Sequence, residues 1–387
     1  MDITQVYQFV NDATQEALGE TAVVSEDLQN IVDVGTAIFN ANAVDRYVRS
    51  LVNHIGRVIF VNRTYGGLGI PELLRDSWEF GSVLEKIQCD LPEAQENESW
   101  ELVDGASYDP NIFKAPTVSA KFYNKRVTFE IQMSFTELQV KQSFSSRDQL
   151  NGFISMLYTA IENSMTVKID QLIMRAVNNF IGETAYAEYQ GAGFDTKSTV
   201  KAVNLLYLYN QTVPTPITDA DALTNPDFIR FASYIISLYA NRMTKMSTLF
   251  NINGKERFTP ADRRVVVLHN DFVSAAKTFL YSGTYHDQMV ALPENADIIP
   301  YWQGSGLDYD FDDSGKIDIT TVDGHAVSLT GVLGCIFDKE AILVANLDRR
   351  VTTNYNAKAE FFNNWYKADM GLIDDYSEQF VFFFIKS

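Results

Sequence analysis

Residues 147–181 contain no proline and a single glycine, Gly152, and their apolar side chains hold one helical face. Leu150, Phe153, Ile154, Leu157, Ile161, Met165, Ile169, Leu172, Ile173, Ala176 and Phe180 recur at the i, i+3, i+4 spacing of an amphipathic helix. Ser145 with Asp148 three residues on resembles a capping box, and Gly182 stands where a terminating glycine would. The pattern predicts one helix of about 35 residues, about 50 Å long at the standard rise. Globular helices average about a third of that length. An element of this size serves as a spine.

The stretch before it has the opposite character. Gly66, Gly67 and Gly69 loosen residues 62–116, and Pro71, Pro92, Pro110 and Pro116 break them. Glu85, Asp90, Glu93, Glu96, Glu98, Glu101, Asp104 and Asp109 face Lys86 alone. Only residues 82–91 read as a strand. The segment is too long for a simple connection inside a compact domain. It reads as an extended loop or arm that reaches a partner, or as local disorder. Residues 117–133 then alternate. Val118, Ala120 and Phe122 form one apolar run, and Val127, Phe129, Ile131 and Met133 a second. The interruption at residues 123–126 reads as a turn or bulge, giving two strands or one bent strand.

Residues 1–60 read as helical from Ile31, Val34, Ile38, Val44, Tyr47, Val48, Leu51, Val52 and Ile55, with a strand over 57–62. Beyond the long helix, Thr224-Asn225-Pro226 supplies a cap and a first-turn proline for a helix reaching about Met246. A strand over 264–269, a helix over 271–280 and strands over 297–301, 307–322, 331–337 and 341–346 follow. Residues 380–385 form a final strand of buried character. The class is α+β or mixed α/β.

Length and composition bound the function. A chain of 387 residues, 46% hydrophobic, builds two lobes or one lobe with extended arms. Its 26 Phe and 19 Tyr suit interfaces as well as cores. The net charge of −19 argues against a duplex-binding protein with a basic face. That balance repels nucleic acid and anionic lipid, which suits a container through which DNA slides and also an acidic enzyme. Cys89 and Cys335 form no CxxC pair and read as reduced thiols. The first residues carry no basic, apolar leader, so no secretory signal is expected. The longest apolar run, 380–385, is far short of the about 20 residues a membrane helix needs.

Catalytic patterns are missing from the sequence. His54, His269, His286 and His325 sit in no ligand spacing, and 323–325 reads as a turn. Gly67-Leu68-Gly69 is too short for a dinucleotide fingerprint, and Gly304-Ser305-Gly306 lacks a nucleophile frame. The one metal candidate is Asp310, Asp312, Ser314 and Asp318, a partial calcium loop. Its twelfth position is Thr321 instead of glutamate and its flanks read as strands. The competing reading is a β-hairpin turning at Asp313-Ser314-Gly315.

The order of parts carries a resemblance. Val34-Gly35-Thr36-Ala37-Ile38-Phe39-Asn40 leads to Ser50-Leu51-Val52-Asn53-His54-Ile55-Gly56-Arg57-Val58, and Lys121-Phe122-Tyr123-Asn124-Lys125-Arg126 precedes the long helix. Phe337-Asp338-Lys339-Glu340 precedes a strand, and Asn363-Asn364-Trp365-Tyr366 precedes the terminal one. In this order the chain resembles the major capsid proteins of tailed bacteriophages, nearest to those of small short-tailed phages of Gram-positive hosts. Bacterial encapsulins share the architecture and are the nearest alternative; an acidic cytosolic enzyme of mixed fold is a third.

The resemblance implies the tailed-phage capsid fold: an N-terminal arm (1–60), an extended β loop with its strands (61–134), a peripheral lobe with the spine helix (135–195), a mixed α/β axial lobe (196–347) and a return to the peripheral lobe (348–387). It implies a shell of hexamers and pentamers around double-stranded DNA, built with scaffolding and portal proteins in the host cytoplasm and ending in the virion. No catalysis, cofactor or membrane is implied. The acidic loop needs basic partners, so inter-subunit contacts are expected at Glu93, Glu96, Glu98 and Glu101 and at Lys121, Lys125, Arg126, Arg349 and Arg350.

Overall fold

The computed structural model describes residues 3–19, 24–25, 28–41, 43–61, 70–75, 84–92, 94, 96–97, 99, 101–111, 113–123, 125–189, 197–282, 296–302 and 315–387. Helices α1 (Ile3–Leu18), α2 (Ile31–Asn40) and α3 (Val44–Val61) open the chain. Their apolar stripes, with Val6, Phe9, Ile38, Tyr47 and Leu51, are buried in the larger of two main cores. The strand expected over 57–62 is helix to Val61, and Asn62 lies outside the described residues. Periodicity cannot separate helix from strand in so short an apolar run, and a helix already started continues through it.

After α4 (Glu137–Ser143), the spine α5 spans Arg147–Tyr189, 43 residues or about 65 Å. Ser146, not Ser145, caps it: the Ser146 Oγ accepts from the Gln149 N–H at 3.3 Å, while the Ser145 Oγ donates to Gln149 Oε1. Gly182 does not end the helix. A Cβ there would lie 3.0 Å from Thr321 Cγ2, so the glycine admits a crossing hairpin. Residues 176–185 are all buried, and that packing carries the helix past its weak residue.

Two sheets flank the spine. The four-stranded one has the order β1 (Leu74–Arg75), β11 (Ile342–Asn356), β12 (Phe361–Asp374), β4 (Arg126–Thr136), with only β1 and β11 parallel. The strand expected over 341–346 thus extends to Asn356. Its second half alternates towards solvent, and that polarity hid it in the sequence. The five-stranded sheet has the order β5 (Ala202–Asn204), β13 (Phe380–Phe384), β10 (Val332–Asp338), β6 (Arg264–His269), β7 (Asp297–Ile299).

The run at residues 380–385 is apolar throughout because β13 is covered on both faces. Phe380, Phe382 and Phe384 enter the larger core, and Val381, Phe383 and Ile385 the smaller one. That smaller core lies under α6 (Leu205–Asn210), α7 (Asp219–Ala222), α8 (Pro226–Arg242) and α9 (Asn270–Ser282). Asn225 caps α8, its Oδ1 accepting from the Asp227 and Phe228 N–H groups at 3.0 and 3.1 Å, and the helix stops at Arg242, short of Met246. Segment 348–387 is divided, β12 joining one sheet and β13 the other.

Strands β8 (Ile317–Thr320) and β9 (Ala326–Leu329) form the hairpin that crosses Gly182. It turns at residues 321–325, which include the turn expected at 323–325, whereas Asp313 and Ser314 of the other expected turn lie outside the described residues.

Candidate assembly surface

The interruption at 123–126 separates two strands that part company. β3 (Val118–Tyr123) pairs antiparallel with β2 (Leu84–Cys89), whereas β4 joins the four-stranded sheet. The β2–β3 hairpin is therefore a two-stranded sheet of its own, and such a sheet needs support from elsewhere. Because side chains alternate, its two faces differ completely.

The inner face is mainly polar and rests on the turn between β12 and β13, with Tyr123 at its end packed against Leu343, Ala345 and Ile373. Lys86 Nζ donates to Asp375 Oδ2 at 2.8 Å and Glu378 Oε1 at 2.7 Å, and Gln88 Nε2 to Asp375 Oδ2 at 3.2 Å. Lys121 Nζ donates to Asp375 Oδ1 at 3.3 Å. Asp375 is fully buried and Glu378 nearly so. Arg257 adds a 3.5 Å contact to Glu378, and Lys255 holds Asp90 at the base of the loop at 2.9 Å.

Burial pushes the Asp375 carboxyl up, but the Lys86 hydrogen bond and the charges of Lys86 and Lys121 overcome it and hold it at about 2. Burial likewise works against the Lys86 ammonium, and Asp375 and Glu378 outweigh it, so its pKa is raised. The seat is therefore a matched set of buried charges, in which removing one partner costs more than the pair contributes.

The outer face is apolar and open. Ile87, opposite Ala120, is 66% exposed, and Phe122, opposite Glu85, is 62% exposed. Val118, opposite Cys89, is also exposed. The connection at 90–117 adds exposed Leu102 and Val103 and Phe113 at 86%. Its described residues make local turns, such as Ala106 N–H to Val103 O at 3.1 Å and Val103 N–H to the Tyr108 hydroxyl at 3.1 Å. Large apolar side chains left exposed together on one hairpin face, as Ile87, Val118 and Phe122 are among the described residues, mark an interaction site.

The residues singled out from the sequence divide as follows. Glu96 and Glu101 are exposed on the loop, and Glu93 and Glu98 lie outside the described residues. Lys121 and Lys125 face carboxylates of their own chain, Lys125 at 3.9 Å from Asp374. Arg350 bonds Asp348 and Asp369, both at 2.7 Å. Arg126 is exposed at the start of β4 and Arg349 half-buried on β11. Of the calcium candidate, Asp310, Asp312 and Ser314 lie outside the described residues, and Asp318 is exposed on β8 near Lys316 at 3.9 Å. Among the described residues no three His, Cys, Asp or Glu side chains converge to hold a metal ion.

His54 lies in α3, His286 lies outside the described residues, and His269 is buried at the end of β6. No helix among the described residues is long and apolar enough to cross a membrane. Sequence reading missed Asp375 and Glu378, which stand in an acidic run between two aromatic-rich strands and look like an ordinary solvated turn.

The family model of the Phi29-like phage major capsid protein matches residues 10–384. Among solved structures, the capsid of Staphylococcus phage Andhra is similar at 11% identity and a TM-score of 0.50, covering 81% of this chain and 83% of that one. The capsid of Cyanophage P-SCSP1u is 13% identical with a TM-score of 0.41, covering 81% and 86%. Microbacterium phage Oxtober96 is 10% identical with a TM-score of 0.44, covering 84% and 92%. The Andhra likeness shows a shared fold. None of the curated proteins matches the chain.

Proposed function

The chain belongs to the Phi29-like phage major capsid protein family, and from that premise we propose that it closes a shell of hexamers and pentamers around double-stranded DNA. The observation that carries this reading is the outer face of the β2–β3 hairpin with its loop. Ile87, Val118, Phe122, Leu102, Val103 and Phe113 are exposed, and a second copy of the chain would cover them. One face meeting a different face of the next copy is a head-to-tail contact, the kind that generates rings. The subunit is structural and does its work by burying surface against neighbours.

In this reading residues 1–60 are the arm, 61–134 the extended loop, 135–195 the peripheral lobe, 196–347 the axial lobe and 348–387 the return, whose last strand, β13, joins the sheet of the axial lobe. Glu93, Glu96, Glu98 and Glu101 contact basic residues of neighbouring copies, with Arg126 and Arg349 as the counter-charges, and fix register more than affinity, whereas Lys121, Lys125 and Arg350 are engaged by carboxylates of their own chain. The net charge of −19 keeps packaged DNA from adhering. Scaffolding and portal proteins assist assembly in the host cytoplasm, and the product resides in the virion.

Negative-stain electron microscopy of the expressed chain, alongside size-exclusion chromatography, tests this. Shells, tubes or rings of five and six subunits are expected. A chain that stays monomeric at high concentration, with and without a scaffold, defeats the reading. Reversing Glu96, Glu98 and Glu101 to Lys should lower the yield of shells, and an unchanged yield removes the charge pairing from the proposal.

A further inference from the structure

Beside the hairpin seat lies a second group of titratable side chains that the assembly reading leaves unused. It joins the end of the spine helix, the β8–β9 turn and the residue next to Asp375. Asn179 sits at its centre. Its Nδ2 donates to Asp374 Oδ2 at 3.3 Å and to the Tyr376 hydroxyl at 3.2 Å, and its Oδ1 accepts from the Val322 N–H at 2.7 Å. One turn along the helix, both Glu183 carboxylate oxygens lie 3.1 Å from His325 Nδ1, and the His325 ring stacks on Tyr186 at 3.6 Å. Asp374 is almost fully buried, and its second oxygen, Oδ1, has no hydrogen-bond partner among the described residues.

We propose that this cluster is a proton-sensitive joint: a proton taken up at Asp374 tightens the contact between spine helix, β8–β9 turn and β12–β13 turn, and its loss loosens it. A buried carboxylate oxygen without a donor carries its full desolvation penalty, and protonation removes the charge that incurs it. The charged surroundings do not cancel that penalty. Lys125 stands 3.9 Å away, near the limit of an ion pair, and Lys121 spends its ammonium on Asp375 and the Asp374 carbonyl. Against them stand Glu183 from α5 and Asp323 from the β8–β9 turn. Tyr376 and Tyr123 are the other titratable groups facing Asp374, and His325 faces Glu183.

The resulting balance holds the Asp374 carboxyl at about 6, with burial the largest cause, Lys125 opposing it and Asp323 adding to it. The folded-state value is raised, so the favourable contribution is complete below the ordinary carboxylate range and is lost as pH rises through about 6. Since Asp374 directly precedes Asp375, the joint and the hairpin seat share one turn.

Amide hydrogen exchange over residues 317–329 of the full chain, corrected for intrinsic rates, reads the joint. The local opening constant should rise by about tenfold or more between pH 5 and pH 7.5. Asp374→Asn, which resembles the protonated acid, should stay at the low-pH value throughout. His325→Gln, which removes the imidazole that faces Glu183, should keep the wild-type dependence. A wild-type profile without pH dependence overturns the proposal, as does an Asp374→Asn profile that follows the wild type, or a dependence that vanishes in His325→Gln. If Asp374→Asn fails to fold, the carbon chemical shift of the labelled Asp374 carboxyl in the wild-type chain decides. A midpoint near 6 supports the joint, and one below about 4.5 refutes it.

Discussion

The five-stranded sheet and the β2–β3 hairpin are both β structure rich in apolar side chains, and they use those side chains in opposite ways. In the sheet, strand β13 sends alternate residues into two cores, and every one of them leaves water when this single chain folds. In the hairpin, the face turned to the chain is charged and the apolar face is turned outward. The sheet draws its stability from transfer of apolar area, which needs no neighbour. The hairpin is placed mainly by ion pairs and by the buried Tyr123, and the apolar area of its outer face contributes only when something else covers it. One region makes the subunit a folded protein, and the other leaves it incomplete as a monomer.

The strongest way to break this contrast is Phe382→Ala. The ring is fully buried in β13, stacked near Phe384 at 5.7 Å, and its removal should cost about 3–5 kcal/mol in urea unfolding. A loss under about 1 kcal/mol would mean that the sheet is not the self-sufficient region. Next in size is Lys86→Ala. It removes the shortest ion pairs of the buried Asp375 and Glu378 carboxylates, leaving them Lys121 at 3.3 Å and Arg257 at 3.5 Å, and should destabilise the hairpin by about 2 kcal/mol. The loss belongs to β2 and β3 alone. Exchange should accelerate over residues 84–89 and 118–123 while β13 keeps its protection; equal acceleration in both would show that the two regions are not separable.

Acid sharpens the comparison further. The Asp375 carboxyl is held down at about 2, so its contribution is present above the ordinary carboxylate range and is lost as pH falls towards that value. Hairpin protection, corrected for intrinsic exchange, should therefore persist from pH 7 to about 4.5 and fail only below it. This is the opposite sign to Asp374, one residue away. The smallest effect on the isolated chain is expected from Phe113→Ser, which should change unfolding stability by less than about 0.5 kcal/mol. The same substitution should reduce shell yield sharply, and a variant that assembles normally would show that this ring is not covered in the shell.

How much of this was readable in advance follows the same division. The spine helix, the α8 cap at Asn225, strand β6 and the terminal strand were all legible, because each is written in local spacing or in a capping residue. The break between β3 and β4 was legible as an interruption, and its consequence, two different sheets, was not. Gly182 was misread for a stop, since the feature that needs a glycine there is a hairpin more than 130 residues later in the chain. The strand over 57–62 was misread because a short apolar run carries no period of its own. The exposed acidic loop was visible as composition, whereas its seat in Asp375 and Glu378 was invisible.

The sequence by itself determined the spine, the doubly apolar terminal strand and the existence of a long charged loop between paired strands. These depend on periods of two and 3.6 residues and on caps, which act over a few positions. Only the tertiary structure decided which sheet each strand joins, where the spine ends and which carboxylates are buried. The hairpin lysines and the turn that receives them are 289 residues apart for Lys86 and Asp375. A carboxylate's burial, and with it the sign of its effect on stability, is set by what the folded chain brings around it, and neighbouring Asp374 and Asp375 end at about 6 and about 2 for that reason.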